Sequence, residues 1–490
     1  MNPAAGEQGS SNAPESGEPL RGSTDVRTSG SHGPECAAPE GPGSSGAPVV
    51  GAGGTIWARD YSLSDAKTWL VRRPKLLGLV AVYVVYFLLL DAPLWRGPGP
   101  YNDHTSPRYG QTCPATFFGN RIIVYEDNLN IGEAVAWWRG TFELPFRRLD
   151  TALFEGRILN AYPPMMTLIA AAVVPFCAEG VPQVLLAVLL GLPLPGLAYG
   201  VMLKRTRRVW MAVVLALALV CGTSVLPVLR WALRSSQVYH VNHVLAVAGQ
   251  LVMLAEFFGR RRVGVMGVGL MLAAWSRQLT AFYAIPVIWA AWRGAEVPSG
   301  ARVSSRRARM AQAAAVCAVV GGVPAALNTL KFNRPWDFGY RYLYEGVESE
   351  QADCARIGIF SPAFIPRNAY ALNLGFPKLK REYHGWRLVT NFQGTGIWWT
   401  SPLLLYLLPA FRMIVMDAAS RVWLAAAALV VVGILMYHTT GMFHQGHHRF
   451  STDFVPVLFA LLAPRWDAAG RPWLVCVFAL CGIGWFVSLP

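Results

Sequence analysis

The stretch RIIVYEDNLNIGEAVAWWRGTFELPFRRLDTALFEGRILNAYPPMMTLIAAAVVPF, residues 121–176, decides how the chain is read. It begins just past the first strongly hydrophobic run. It carries Glu126, Asp127, Glu133, Glu143, Asp150 and Glu155 in a sequence where charge is scarce. It ends in Tyr162-Pro163-Pro164, which opens another apolar run. Carboxylates beside membrane helices are costly unless they are solvated or used. The acidic, aromatic-rich segment is therefore where chemistry is expected, and the rest of the chain reads as its lipid-embedded scaffold.

Working outward, composition sets the class. The 490 residues are 53% hydrophobic and 14% charged, against a usual charged share of about 25%. Mean hydropathy is +0.34. A spanning helix needs about 20 mostly apolar residues. The segments 76–95, 181–203, 209–229, 238–258, 310–330, 396–413, 421–441, 452–466 and 472–490 meet that need. Segments 162–178 and 263–292 are ambiguous. In lipid every backbone polar group must pair internally. The expected fold is therefore all-α, a polytopic membrane helical bundle of about 10–12 spans. Two long outer loops, about 96–160 and 331–395, are expected to carry short juxtamembrane helices.

The formal charge of +15 is not a nucleic-acid signal. Basic residues cluster between apolar runs, at Lys204–Arg208, Arg260–Arg262 and Arg302–Arg309, and such loops stay cytoplasmic. Contact with anionic lipid head groups is the alternative. Residues 1–56, rich in Gly, Ser, Pro and Ala, are expected to form a disordered cytoplasmic tail, with 57–490 embedded in the membrane. Segment 263–292 begins and ends among cytoplasmic arginines, so it reads as a hairpin tipped by Ser276-Arg277-Gln278, with Arg277 on the inner side. Crossing at both 162–178 and 181–203 would put Lys204–Arg208 outside, so one of these is short or re-entrant. Residues 127–139 have helical periodicity and read as a helix lying on the bilayer, with Trp137 and Trp138 at head-group depth.

Several polar residues are candidates for function. Glu126 and Asp127 could divide roles, one an ionised base and the other holding position or a metal. Their competing reading is a solvated loop in which Asp127 caps the following helix. Arg341, Arg449 and Arg230 are candidate phosphate ligands, since guanidinium binds phosphate bidentately. Arginines snorkelling to head groups are the alternative. Tyr162, Tyr340, His447 and His448 complete the candidate substrate contacts. His438, His444, His447 and His448 near Asp453 suggest a metal, but Gly441 and Gly446 argue for a loop and no HExxH pattern is present. No metal ligand is assigned and no cofactor is firm, although a divalent cation stays an open option. Cys113 and Cys354 fall in the two long loops, where an oxidising exterior would allow a disulfide between them.

The arrangement resembles the GT-C superfamily of integral-membrane glycosyltransferases, in the manner of protein mannosyltransferases and lipid A aminoarabinose transferases. The landmarks are Glu126-Asp127 soon after the first apolar run, Trp138-Arg139-Gly140, Tyr162-Pro163-Pro164, Gly222-Thr223 and Ser276-Arg277-Gln278. Asn333 to Arg341 and Gly446-His447-His448-Arg449-Phe450, followed by Asp453, complete the order. The resemblance implies a polyprenyl-phosphate-linked sugar donor and a glycan, lipid or protein acceptor. It implies a bacterial inner membrane with the site outside, and Asp127 as the catalytic base, or Glu126 if the register slips by one. A transporter or flippase, or a glycan ligase or polymerase, remains the competing class.

Overall fold

A computed structural model describes residues 73–90, 116–117, 120–121, 128–144, 147, 150–176, 183–234, 238–294, 305–343, 356–382, 385–389, 395–441, 447–468 and 471–488. The tail 1–56, Glu126, Asp127, Cys113, Cys354 and His444 lie outside the described residues.

The described chain is mostly helical, with three two-stranded antiparallel hairpins: β1 Thr116–Phe117 with β2 Asn120–Arg121, β3 Thr151–Phe154 with β4 Arg157–Asn160, and β5 Lys378–Glu382 with β6 Gly385–Val389. Helices follow the apolar runs: α1 Pro74–Leu90, α2 Leu129–Trp138, α3 Met165–Val173, α4 Gln183–Gly191, α5 Leu194–Arg205, α6 Val209–Cys221 and α7 Val225–Arg234. Next come α8 Val238–Phe257, α9 Val263–Ala274, α10 Ala284–Arg293 and α11 Arg306–Phe332. The short α12 Ile365–Ala369 and α13 Ile397–Thr400 precede α14 Leu407–Met416, α15 Ala418–Leu435, α16 Val455–Asp467 and α17 Pro472–Ser488. Among the described residues three helical stretches are long and apolar enough to cross a membrane: Leu185–Arg205, Arg306–Phe332 and Ala418–Leu435. The pair α6 and α7, bent by 52°, qualifies as a fourth if it counts as one span. One apolar cluster runs through most of these helices. At its tightest approach, α8 and α9 meet at Gly249 and Gly269, where any Cβ would collide with the facing backbone. Small residues allow such close helix contact.

The basic clusters gather at one end of this bundle. Lys204 donates to the carbonyl of Ala255, and Arg262 holds the Glu256 carboxylate at 2.9 Å. Arg261 reaches Gly294, Arg309 reaches Ala291, and Asp467 accepts from the Arg207 amide. At the far end lie described segments of the loops. There the hairpin β3 (Thr151–Phe154) and β4 (Arg157–Asn160) packs with Phe332 and Leu343 in a second, smaller apolar cluster. The 3-10 turn Arg449–Asp453 descends from that end into the bundle.

Several expectations change. Helix α2 does not lie on a surface: Leu129 to Ala134 are all buried, and Trp138 alone stands well out, 62% exposed. Its polar groups explain this, since Asn130 and Glu133 have partners only inside the protein. The segment Met165–Phe176 is the short one of the ambiguous pair, roughly 18 Å long against a hydrocarbon core of about 30 Å. The hairpin 263–292 forms as α9 and α10, but its tip reaches the loop layer. The Trp275 carbonyl accepts from the Met165 amide, and Tyr340 donates to Gln278 at 3.1 Å. Arg277 therefore is not at the basic end. Arg230 is no open phosphate ligand either. Its guanidinium, 4% exposed, donates to the carbonyls of Leu89, Leu90, Phe486 and Val487. A cation there satisfies the orphan carbonyls at the ends of α1 and α17.

Because those four carbonyls lose a charged donor in Arg230→Met, the variant should unfold more easily by at least about 2 kcal/mol. Thermal unfolding in detergent reads this directly, and an unchanged midpoint would remove Arg230 as a structural tie.

Candidate functional site

The turn Arg449–Asp453 places a carboxylate in the bundle. Asp453 and His243 are each 0% exposed. Arg277 binds Asp453 through two nitrogens, Nε to both oxygens at 3.2 and 3.1 Å and Nη2 to Oδ2 at 2.9 Å. Tyr283 donates to the Asp453 backbone carbonyl at 2.6 Å. On the other side Thr452 Oγ1 donates to the Arg449 carbonyl at 2.7 Å, so its lone pairs face His243 Nδ1, 2.7 Å away. That arrangement favours the tautomer with the proton on Nδ1, and leaves Nε2 as an acceptor. Gln250, two helical turns along α8 from His243 on one face, donates to the Thr452 carbonyl at 2.9 Å. Helix α8 thus grips the turn twice.

Phe450 is the hub of this site. Its ring, 3% exposed, carries Arg277 at 4.7 Å and Arg449 at 5.2 Å from its centroid. His243, His448 and Tyr437 pack around it within 5.6 to 6.1 Å. Gly441 lies against the same ring with φ +72°, where a side chain would be both strained and in collision. Depth follows from helix lengths. His243 to Phe257 on α8 and the whole of α16 each separate the site from the basic end by roughly 20 Å.

A second polar cluster lies under the loops. Glu133, 0% exposed, pairs with Lys331 and accepts from Asn160 Nδ2 at 2.7 Å and Thr167 Oγ1 at 2.8 Å. Lys331 also donates to the Asn160 carbonyl at 3.0 Å. Asn130 Oδ1 accepts from the same Asn160 and Thr167 groups at 3.2 and 3.3 Å. Between the clusters is a cavity of about 20 Å³, lined by Asn160, Tyr162, Pro163, Pro164, Gln278, Asn328 and Lys331 among others. That is room for about one water. Tyr162 and Tyr340 meet edge to face at 6.3 Å beside it. Burial raises the Tyr340 phenol above its ordinary range, partly offset by Arg277 and Gln278, so it stays a neutral donor.

The cap of α2 is Asn128, whose Oδ1 accepts from the amides of Asn130 and Ile131 at 3.1 and 3.3 Å. The capping role weighed for Asp127 belongs to Asn128. Arg341 is on the surface, its side chain 54% exposed, bound to Asp337 at 2.5 Å and to the Tyr342 hydroxyl. Of the expected residues, the structure brings Tyr162, Tyr340 and Arg449 to the Arg277–Gln278 tip, and buries His447 and His448 beside the same turn. Sequence reading did not select Glu133, Lys331, His243 or Asp453 as site residues. Glu133 stood within the acidic segment and Asp453 beside the histidines, whereas His243 and Lys331 were visible only as polar groups in or beside apolar runs. Among the described residues no three His, Cys, Asp or Glu side chains gather as metal ligands would. No model of a known protein family, no characterised protein and no solved structure matches the chain.

Asp453→Asn leaves Arg277 without its carboxylate, and removing one partner of a buried pair costs about 3–5 kcal/mol. Unfolding in detergent should show that loss, and the apolar double variant Arg277→Met with Asp453→Leu should recover most of it; equal stability of Asp453→Asn and the parent would refute the pairing. A second expectation concerns His448. Burial, with His447 second, pushes its imidazole down to about 3. The unfolded chain titrates near the ordinary value of about 6.5. Only the unfolded state binds the proton between these values, so stability is full above ~6.5 and falls as pH drops below it. His448→Asn should flatten part of that decline in melting temperature between pH 7 and 5.

Proposed function

We propose that the chain is a membrane glycosyltransferase of GT-C type. It moves a sugar from a polyprenyl-phosphate-linked donor to an acceptor hydroxyl at the loop end of the bundle. One observation carries the reading: landmarks far apart in sequence converge on the Arg277–Gln278 tip. Gln278 meets Tyr340, Trp275 holds the start of α3 after Tyr162-Pro163-Pro164, and Arg277 meets Asp453 and Phe450. The release of Asp127 from capping supports it further, because Glu126 and Asp127 immediately precede a cap that is itself buried.

In this reading the acceptor oxygen attacks the anomeric carbon as the bond from that carbon to the phosphate oxygen breaks. The acceptor proton passes to the Asp127 or Glu126 carboxylate, and polyprenyl phosphate leaves with the bonding pair. Arg277 has a suitable place to meet that phosphate. Asp453 takes its Nε and Nη2, while its side chain keeps 19% exposure against 0% for Asp453. Fixed cations aimed where charge develops are a large part of catalysis. Arg449, against the same ring, is the second candidate, and His447 and His448 flank it.

A second reading is carriage of a lipid-linked glycan without bond cleavage. The bent α6–α7 pair and the charges buried within the bundle favour it, since transporters use broken helices and mid-membrane charge. The two are separated by assaying purified protein in liposomes with a polyprenyl-phosphate sugar and acceptor glycolipids. Transfer requires stoichiometric release of polyprenyl phosphate. Asp127→Asn or Glu126→Gln should cut that release by about 100-fold or more while expression and melting temperature hold. Movement of donor across the bilayer with no released polyprenyl phosphate would replace the transferase reading by the carrier.

A further inference from the structure

We infer that the cavity between Tyr162, Gln278 and Asn328 is a subsite for one hydroxyl of the transferred sugar, with Gln278 as donor and Asn328 as acceptor. The inference rests on the transferase reading and gives it a specificity determinant.

Three elements build the cavity. On α11, Pro324, Leu327, Asn328 and Lys331 line it at helical spacing and share one face. Pro324 has no amide, so the Val320 carbonyl loses its helical donor. Trp275 Nε1 takes that place at 2.9 Å and ties the tip of the α9–α10 hairpin to α11. The segment from Asn160 to Pro164 forms the third wall, held by the Lys331 bond to the Asn160 carbonyl. Pro163, Pro164 and Pro324 supply no backbone donor, so side chains decide what the cavity can bind.

The polar side chains fall into two kinds. Asn160 and Lys331 are committed to the protein. Asn160 Nδ2 donates to Glu133 and Asn130, its Oδ1 accepts from the Tyr162 amide, and Lys331 meets Glu133 and the Asn160 carbonyl. Asn328 and Gln278 are half used. Asn328 Nδ2 donates to the Pro335 carbonyl at 3.1 Å. A carbonyl only accepts, so this bond fixes the amide and leaves Oδ1 as an acceptor. Gln278 Oε1 accepts from the Tyr340 hydroxyl at 3.1 Å, which leaves Nε2 as a donor. Neither Asn328 Oδ1 nor Gln278 Nε2 has a hydrogen-bond partner among the described residues.

One donor and one acceptor beside a cavity of about 20 Å³ select the ligand. A carboxylate or phosphate accepts only, and an ammonium donates only. A hydroxyl does both through one atom and takes the place of one water. Glu133 already meets the Lys331 charge, so the cavity has no spare cation for a phosphate. That role falls to Arg277, the residue before Gln278. Contacts for hydroxyl and for phosphate are thus adjacent in the chain, as a phosphate-linked sugar requires. A sugar without the matching hydroxyl leaves the donor and the acceptor unpaired, which is how such sites reject analogues.

The test uses the full-length protein in liposomes. Donors are the polyprenyl phosphates of mannose, glucose, galactose and arabinose, followed by monodeoxy analogues of the sugar transferred best. One analogue should lose about 100-fold or more in kcat/KM. Gln278→Met and Asn328→Leu should each cut transfer of the parent sugar by a similar factor, yet transfer that analogue as well as the unmodified protein does. Damage to the fold alone would not erase this discrimination. Gln278→Met gives up only the Tyr340 bond, so it decides the matter if Asn328→Leu fails to fold. Discrimination that survives in Gln278→Met, or equal transfer of every analogue by the unmodified protein, overturns the subsite. A second arm reads binding without turnover, by saturation-transfer NMR of the methyl glycosides of the same sugars. If the unmodified protein transfers no sugar but binds a methyl glycoside that Gln278→Met does not, the transferase reading fails and the subsite stands. If it neither transfers nor binds any of them, the subsite falls as well.

Discussion

The structure depends on one carboxylate and one guanidinium placed deep among apolar helices. Asp453 has no solvent contact and Arg277 little, so neither keeps its charge there alone. Their pairing dictates much around them. It requires the chain after His448 to plunge inward as a 3-10 turn instead of extending α16 upward. It requires the α9–α10 hairpin to stop at Ser276 and present Arg277 sideways. Polar residues on α8 hold the same turn, His243 and Gln250 both meeting Thr452 beside Asp453. The stacking of Arg277 on Phe450 then satisfies the guanidinium face while its edge holds the carboxylate, an arrangement open to arginine and not to lysine.

Neither buried cluster is completely closed. Around Glu133 the carboxylate meets Lys331, Asn160 and Thr167, while Asn130 Nδ2 has no hydrogen-bond partner among the described residues. Around Asp453 some groups have no hydrogen-bond partner among the described residues: His243 Nε2, Gln250 Oε1 and Ser276 Oγ. Buried polar groups are normally satisfied, and exceptions mark strain, ordered water or a functional site. Both clusters thus keep some hydrogen-bonding capacity in reserve, the outer one while tying α2, α3, α11 and the Asn160 turn together.

Much of the architecture was legible because a membrane restricts the choices. The apolar runs became largely helical, although among the described residues only three helical stretches, or four with the bent α6–α7 pair, reach spanning length against the 10–12 expected; the basic clusters collected at one end, and segment 263–292 folded as a hairpin with Arg277 at its tip. Depth was not legible. Nothing in the run 263–292 says that its tip rises to meet Tyr340, because that follows from Asp453, far along the chain. The same applies to α2. Its periodicity announced a helix, yet whether that helix lies on a surface or inside depends on partners at Asn160, Thr167 and Lys331 that no local pattern names. Arg230 illustrates the converse. A basic residue after an apolar run looks like an anion site, but helix ends supply carbonyls that are as good a reason for a cation.

The site residues that were missed share a physical character. Glu133, Lys331, His243 and Asp453 each take their meaning from a partner across the fold. Sequence reading favours clusters, such as the histidines near Gly446, since neighbours in sequence can be weighed together. In a helical bundle neighbours in sequence point in different directions, whereas neighbours in space lie on different helices. For a chain of this kind, isolated charges within apolar runs therefore carry more information than dense polar loops. A lone charge there requires a countercharge, and finding that partner locates the place where the helices, the loops and the chemistry meet.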